Sequence, residues 1–322
     1  MLKKLIIISG PTASGKTSYS IKIADQILAE SKLKPVIINF DSLLFYKELN
    51  IGTAKPTKEE RGEHPHLLID ICSAKEPMNA HDYIQQAENQ INSCHQAGEI
   101  PILVGGSAFY LRALIKGMYE STKVDTESKK EIDSLYKEKG IKPFIEFLES
   151  KDPDTMKILH ENDHYRIIRA YEHVLQTGQP FSVERKRMEA LNPYDLSSGI
   201  HEDWEIHHIY LDLPKEEHWS YITRRTRQML EDGLVGEVEK LLSSGFTGEE
   251  KPLKSIGYIE TIEYLQNKFE NESEYLERIS ISTRQLAKSQ RTFFKKITPK
   301  FSYHPIKDEE EILKNAIDFV RR

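Results

Sequence analysis

The sequence predicts an α/β protein: a mostly parallel sheet core flanked by helices, interrupted by an all-helical insertion. Three observations carry that class. Short β-rich apolar runs recur at residues 5–8, 36–40, 67–71, 102–104 and 206–211, with helical stretches such as 17–29 and 81–97 between them. Across residues 121–191 such runs vanish and Lys, Glu and other helix formers take over. Strand character then returns at 206–211, so the helical stretch interrupts the core rather than ending it.

Taken in order, Met1-Leu-Lys-Lys-Leu-Ile-Ile-Ile-Ser has too short an apolar run for a signal peptide and meets Gly-Pro at once, so it reads as a buried first strand. In the insertion, Asp152-Pro153 and Asn162-Asp163 look like helix starts, with Pro at a first helical position and an N-cap, and Thr177-Gly178 looks like a helix end. From Lys215 onward the pattern is again mostly helical. A chain of 322 residues holds about two domains, or one with a large insertion. The expected division is a core over 1–120, a helical insertion over 121–195, and the remainder of the core over 196–322.

Composition excludes several classes. Only Cys72 and Cys94 are present, without CxxC spacing, which gives no zinc or disulfide framework and fits a reducing, cytoplasmic setting. No apolar run approaches the roughly 18 residues that span a bilayer, so a soluble protein without membrane partners is expected. A net charge of −6 argues against a protein that coats nucleic acid unspecifically. Two local basic clusters remain, one of Arg224, Arg225 and Arg227, the other of Arg284, Lys288, Arg291, Lys295, Lys296 and Lys300. Their ordinary reading is a solvated helix face.

The most informative stretch is Gly10-Pro11-Thr12-Ala13-Ser14-Gly15-Lys16-Thr17, which meets the P-loop pattern between an apolar strand and a helical stretch. Its glycines let backbone N–H groups curl around an anion, Lys16 adds a point charge, and Thr17 is placed to ligate Mg²⁺. The pattern announces a polyphosphate and is compatible with nucleotide binding, ATP included. Either Asp41 or Asp70, each at or near the end of an apolar run, could supply the carboxylate such sites use for Mg²⁺.

Further blocks narrow the reading. Asp41-Ser-Leu-Leu-Phe-Tyr46, Asn50-Ile-Gly-Thr-Ala-Lys-Pro56, His66-Leu-Leu-Ile-Asp70, Val104-Gly-Gly-Ser107 with Tyr110, Asn162-Asp163 with Arg166-Ile-Ile-Arg169-Ala170, Ile256-Gly-Tyr258 and Thr283-Arg-Gln-Leu-Ala-Lys-Ser-Gln290 follow in order. With the P-loop, this series resembles the tRNA dimethylallyltransferases, also called tRNA isopentenyltransferases, of the bacterial type. The resemblance implies a P-loop NTPase-like core whose loop, Gly10 to Thr17, holds the diphosphate of dimethylallyl diphosphate. The prenyl group would move to N6 of adenosine 37 beside the anticodon.

On that resemblance Asp41 is the general base, and Lys16, Arg225, Mg²⁺ on Thr17, and Ser107 complete the catalytic set. The tRNA anticodon stem-loop would meet Asp41, Ser42, Leu43, Leu44 and Ser107, the insertion residues Lys129, Tyr165, Arg166, Ile167, Ile168 and Arg169, and Arg284, Gln285 and Lys288, with Arg291 as a further phosphate contact. A monomer is implied.

Three positions depart from the family pattern. Leu44 stands where the pattern has a glutamine that holds the target adenine, Tyr221 replaces the first Arg of R-I-x-x-R, and Lys129 replaces an Arg. Ser107 stands for Thr and keeps the hydroxyl. Competing readings are a catalytically impaired tRNA-binding paralogue, a P-loop nucleotide kinase, and a relative that prenylates free AMP or ADP. The last would need neither the helical insertion nor the C-terminal basic block.

Overall fold

A computed structural model describes residues 2–118, 126–190 and 192–322. Among these, six strands form one sheet in the order β3-β2-β4-β1-β5-β6, every pair parallel. The strands are β1 (Lys3–Ser9), β2 (Pro35–Asn39), β3 (His66–Leu67), β4 (Ile100–Gly105), β5 (Trp204–Leu211) and β6 (Phe301–Tyr303). The helices are α1 (Lys16–Glu30), α2 (Lys58–Arg61), α3 (Ala80–Gln96), α4 (Ala108–Lys116), α5 (Thr126–Lys139), α6 (Lys142–Lys151), α7 (Pro153–Met156), α8 (His164–Thr177), α9 (Phe181–Ala190), α10 (Lys215–Glu231), α11 (Leu234–Ser243), α12 (Tyr258–Leu265), α13 (Glu272–Phe294) and α14 (Glu309–Arg321).

The unbroken apolar run of β1 has a direct cause. Leu5 and Ile7 bury against one helical layer, with Tyr83 and Ile91 of α3 and Leu111 of α4, while Ile6 and Ile8 bury against Ile23 and Ile27 of α1 and Ile317 of α14. A strand covered on both faces has no polar side to show. A third cluster, around Tyr46, Leu49, Val238, Tyr258 and Tyr275, ties α11, α12 and α13 to the loop after β2.

The chain forms two compact units. One combines Met1–Ile115 with Tyr194–Arg322 and holds the whole sheet; the other is Lys116–Pro193 and contains α5 to α9. The latter packs its own core from Ile132, Phe144, Leu148, Ile167, Ala170 and Val174. Asp152 caps α7 by accepting from the Thr155 N–H, Asp163 caps α8 by accepting from Arg166 N–H, and Gly178 ends α8 at φ 67°. Of the expected insertion, residues 121–195, the first residue lies outside the described ones.

Two expectations about strands need correction. The run 67–71 does not form a strand throughout: β3 stops at Leu67, because Leu68 (φ 60°) and Asp70 (φ 59°) are left-handed. That turn lets the Asp70 N–H donate to Leu44 O and the Ile71 N–H to Phe45 O, fastening the loop after β2. β6 was absent from the expected strands; it pairs over three residues at the sheet edge. No helix among the described residues is long and apolar enough to cross a membrane.

Candidate active site

The loop between β1 and α1 is shaped by its two ends. At Gly10 a Cβ would lie 2.4 Å from the Leu211 carbonyl oxygen on β5, so no larger residue fits. Gly15, at φ 86°, turns the chain left-handed just before α1, whose first turn receives no side-chain cap. Uncapped N–H groups at a helix start attract anions. Lys16 Nζ donates to the Pro11 carbonyl at 2.9 Å, Ser14 Oγ is buried without a partner, and the Thr17 side chain is open to solvent.

Opposite stands the chain that follows β2. Asn39 builds it: its Nδ2 donates to the carbonyls of Asp41 (3.0 Å) and Leu68 (2.9 Å), and its Oδ1 accepts from the Asp41 N–H (2.8 Å). The Asp41 carboxylate accepts from the Leu43 N–H at 3.3 Å. Ser107, just past β4, accepts from the Ser42 N–H at 3.2 Å and lies 3.4 Å from Ser42 Oγ. Lys16, Thr17, Asp41 and Leu44 line one cleft, whose remaining wall is largely apolar through Ile37, Pro56, Ile69 and Val104.

Charge converges here. Burial lowers the Lys16 ammonium to about 8, against Asp41, which raises it, while Arg225 lowers it further. Burial likewise lowers Arg225, opposed by Asp41, and Arg225 Nη2 donates to the Thr53 carbonyl at 3.3 Å. Two desolvated cations thus face a single carboxylate, an imbalance that a multiply charged anion would remove. Asp70, the other candidate for the Mg²⁺ carboxylate, is engaged elsewhere: Lys55 Nζ donates to its Oδ1 at 2.6 Å and Arg61 to its Oδ2 at 3.1 Å.

Among the described residues no three His, Cys, Asp or Glu side chains gather as a metal site. The donor set instead suits Mg²⁺, a hard cation that keeps several waters and takes one protein hydroxyl beside phosphate oxygens. Thr17 at the cleft wall has the chemistry for that hydroxyl.

The residues expected at tRNA divide by exposure. Lys129 on α5 and Tyr165 and Arg166 on α8 are exposed, Arg166 pairing with Asp163 at 2.7 Å. Arg169 pairs with Glu172 at 2.5 Å. Ile167 is fully buried and Ile168 packs against the same core, so the Ile167 side chain belongs to the core. On α13, Gln285 and Lys288 are exposed, whereas Arg284 is held by Glu277 (3.1 Å), Thr223 (3.0 Å) and the face of Trp219 (5.1 Å to the ring centroid). Arg291 is likewise no free phosphate contact: it donates to Asp212 at 2.8 Å, to Leu213 O and to His218 Nδ1. Tyr221, on the face of α10 before Arg225, lies under Arg224 at 4.7 Å.

Several site residues carry no signal that assigns them a role in sequence. Gln290 belongs to the T-R-Q-x-A-K-x-Q block yet had no role there; its side chain bridges Thr12 and Gly106. His218 has no motif at all and reaches the Thr12 carbonyl at 2.7 Å. Thr53 acts through its backbone, which sequence cannot reveal.

Residues 44–297 match the family model described as IPP transferase. The chain belongs to that family. It is 36% identical over 91% of its length to tRNA dimethylallyltransferase 2 of Geotalea uraniireducens, covering 89% of that protein, and 34% identical over 98% to the tRNA dimethylallyltransferase of Thermotoga neapolitana, covering 96%. The crystal structure of the full-length tRNA isopentenylpyrophosphate transferase of Bacillus halodurans superposes with a TM-score of 0.68 at 28% identity, over 99% of this chain and 96% of that one. A eukaryotic dimethylallyltransferase, described as acting on tRNA, has the same fold, with a TM-score of 0.81 at 24% identity, over 99% of this chain and 80% of that one. The IPP transferase structures share the P-loop NTPase-like core expected from the sequence.

Proposed function

We propose that this IPP transferase moves the dimethylallyl group of dimethylallyl diphosphate to N6 of adenosine 37 beside the tRNA anticodon, releasing diphosphate. The observation that carries the reading is the convergence of Lys16, Arg225 and Asp41 at the mouth of an uncapped helix beside an apolar wall. The cations suit a diphosphate head, and the apolar wall suits a short hydrocarbon tail.

In the reaction the allylic C–O bond breaks, the bridging electron pair leaves with diphosphate, and the N6 lone pair forms the new C–N bond. Asp41 accepts the N6 proton as general base. Lys16, Arg225 and the N–H groups of the loop stabilise the charge that grows on the leaving group. Mg²⁺, held by Thr17 and phosphate oxygens, would add Lewis-acid stabilisation of the same oxygens. Ser107 steadies the chain after Asp41 through the Ser42 N–H.

Exposed Tyr165, Arg166, Lys129, Gln285 and Lys288 supply stacking and phosphate contacts for the anticodon stem-loop. The enzyme acts as a cytoplasmic monomer in this reading. The test is transfer of labelled prenyl from dimethylallyl diphosphate to unmodified tRNA, with ATP as the competing substrate. Prenyl transfer without ATP turnover is expected; ATP turnover without transfer would favour a nucleotide kinase.

A further inference from the structure

The phosphate loop is anchored at Thr12 through both of its backbone polar groups, the N–H and the carbonyl. Its N–H donates to Gln290 Oε1 at 2.8 Å. The same side chain, from α13, donates through Nε2 to the Gly106 carbonyl at 3.0 Å. These partners fix the amide orientation, since the flipped form would set donor against donor and acceptor against acceptor. Gly106 precedes Ser107, so one carboxamide joins the loop that would hold diphosphate to the turn that carries Ser107.

The carbonyl of Thr12, in the next peptide unit, is held from α10. His218 Nδ1 accepts from Arg291 Nη2 at 2.9 Å, which leaves Nε2–H to donate to Thr12 O at 2.7 Å. Arg291 is in turn fixed by Asp212 at the end of β5. The two peptide groups that flank the Thr12 Cα are therefore each gripped by a helix more than 200 residues away in sequence.

We infer that Gln290 is a positioning residue that sets the distance between the diphosphate cradle and the Ser107 turn; this rests on the transferase reading for the identity of the anion. Gly106 provides an independent handle. A Cβ there would lie 2.6 Å from Gln290 Nε2, with Gly10 O next at 3.5 Å, and its backbone φ is outside the left-handed region. Gly106→Ala thus pushes aside the far end of Gln290 and otherwise leaves the turn in place.

The experiment uses inorganic pyrophosphate with Mg²⁺, titrated calorimetrically into the full chain, with Gln290→Met, Gly106→Ala and the double variant. Thermal melts verify folding, and hydrogen exchange of the peptide containing Thr12 reports the anchored N–H. Each single change is expected to weaken pyrophosphate binding about tenfold and to speed Thr12 exchange, and the double variant to be no weaker than either. The inference is overturned if folded Gln290→Met binds as the unaltered chain does, or if the two losses multiply to about a hundredfold. Should Gln290→Met fail to fold, Gly106→Ala alone decides: unchanged binding and exchange overturn the inference. A chain that binds pyrophosphate and transfers no prenyl group counts against the transferase reading alone, because the cycle is read from binding.

Discussion

The Ser42 N–H donates to Ser107 Oγ across 3.2 Å, joining the turn after β2 to the turn after β4. Because Ser42 follows Asp41 directly, this bond restrains the backbone that carries the proposed base. Ser107→Ala removes the acceptor and leaves a part-buried N–H unpaired. Steady-state kinetics should show kcat lower by about tenfold with KM for the prenyl donor little changed. Ser107→Thr, which keeps the hydroxyl, should stay near the starting rate.

Leu44 lines the cleft beside Lys16, Thr17 and Asp41, at the position where the family pattern has glutamine. A carboxamide there would pair with the adenine edge, and such pairs contribute about 1–3 kcal/mol. Leu44→Gln should therefore raise kcat/KM for tRNA by about tenfold, measured on unmodified transcript. A fall would mean that the apolar wall itself is the working surface at this position.

Lys55 is almost fully buried, and Asp70 is its only acidic hydrogen-bond partner among those described, alongside the Tyr46 carbonyl. Asp70→Ala strands that ammonium. Since Asp70 is itself partly open to water, the expected cost is about 2 kcal/mol of stability, less than for a fully buried pair. Chemical denaturation of the two proteins measures it.

Adjacent His207 and His208 sit on opposite faces of β5. Burial, with a smaller contribution from Arg322, lowers His207 to about 4; burial, with Lys300, lowers His208 to about 3. In the unfolded chain each titrates at its ordinary value near 6.5. Folded-state stability is thus full above about 6.5 and falls as pH drops, because the unfolded state takes up protons that the folded state refuses. Between pH 6.5 and 5 the loss should be roughly 1.5 kcal/mol for each histidine, seen as a falling denaturation midpoint before carboxylates titrate.

The parts of this fold written in local pattern were legible in the sequence. β1, the phosphate loop and α1 follow one another within thirty residues, and Gly10, Gly15 and Lys16 announce them without tertiary help. What stayed out of reach was set by distant partners. Arg291 sits in a basic run that resembles a solvated face, yet its acceptor Asp212 lies 79 residues earlier, so nothing nearby betrays the pair. The partners of Arg284 are hidden for the same reason, with Trp219 and Thr223 on another helix. The left-handed φ of Leu68 and Asp70 broke an apolar run that looked like a strand; Asp tolerates that conformation, but Leu68, where the strand stops, carries no sign of it. Ile167 reads as one of a block of contacts, but the 3.6-residue period of α8 turns it inward while Tyr165 and Arg166 face water.

The most direct test of the central claim is Asp41→Asn in the prenyl-transfer assay, with the tRNA digested and the modified nucleoside weighed by mass spectrometry. The unaltered protein should yield adenosine carrying one dimethylallyl group at N6 of position 37. The variant, binding tRNA and diphosphate as before, should lose roughly 10²- to 10⁴-fold in kcat, the contribution expected of a general base. Transfer at an undiminished rate by Asp41→Asn would contradict the account, and the proton on N6 would then have to leave by another route.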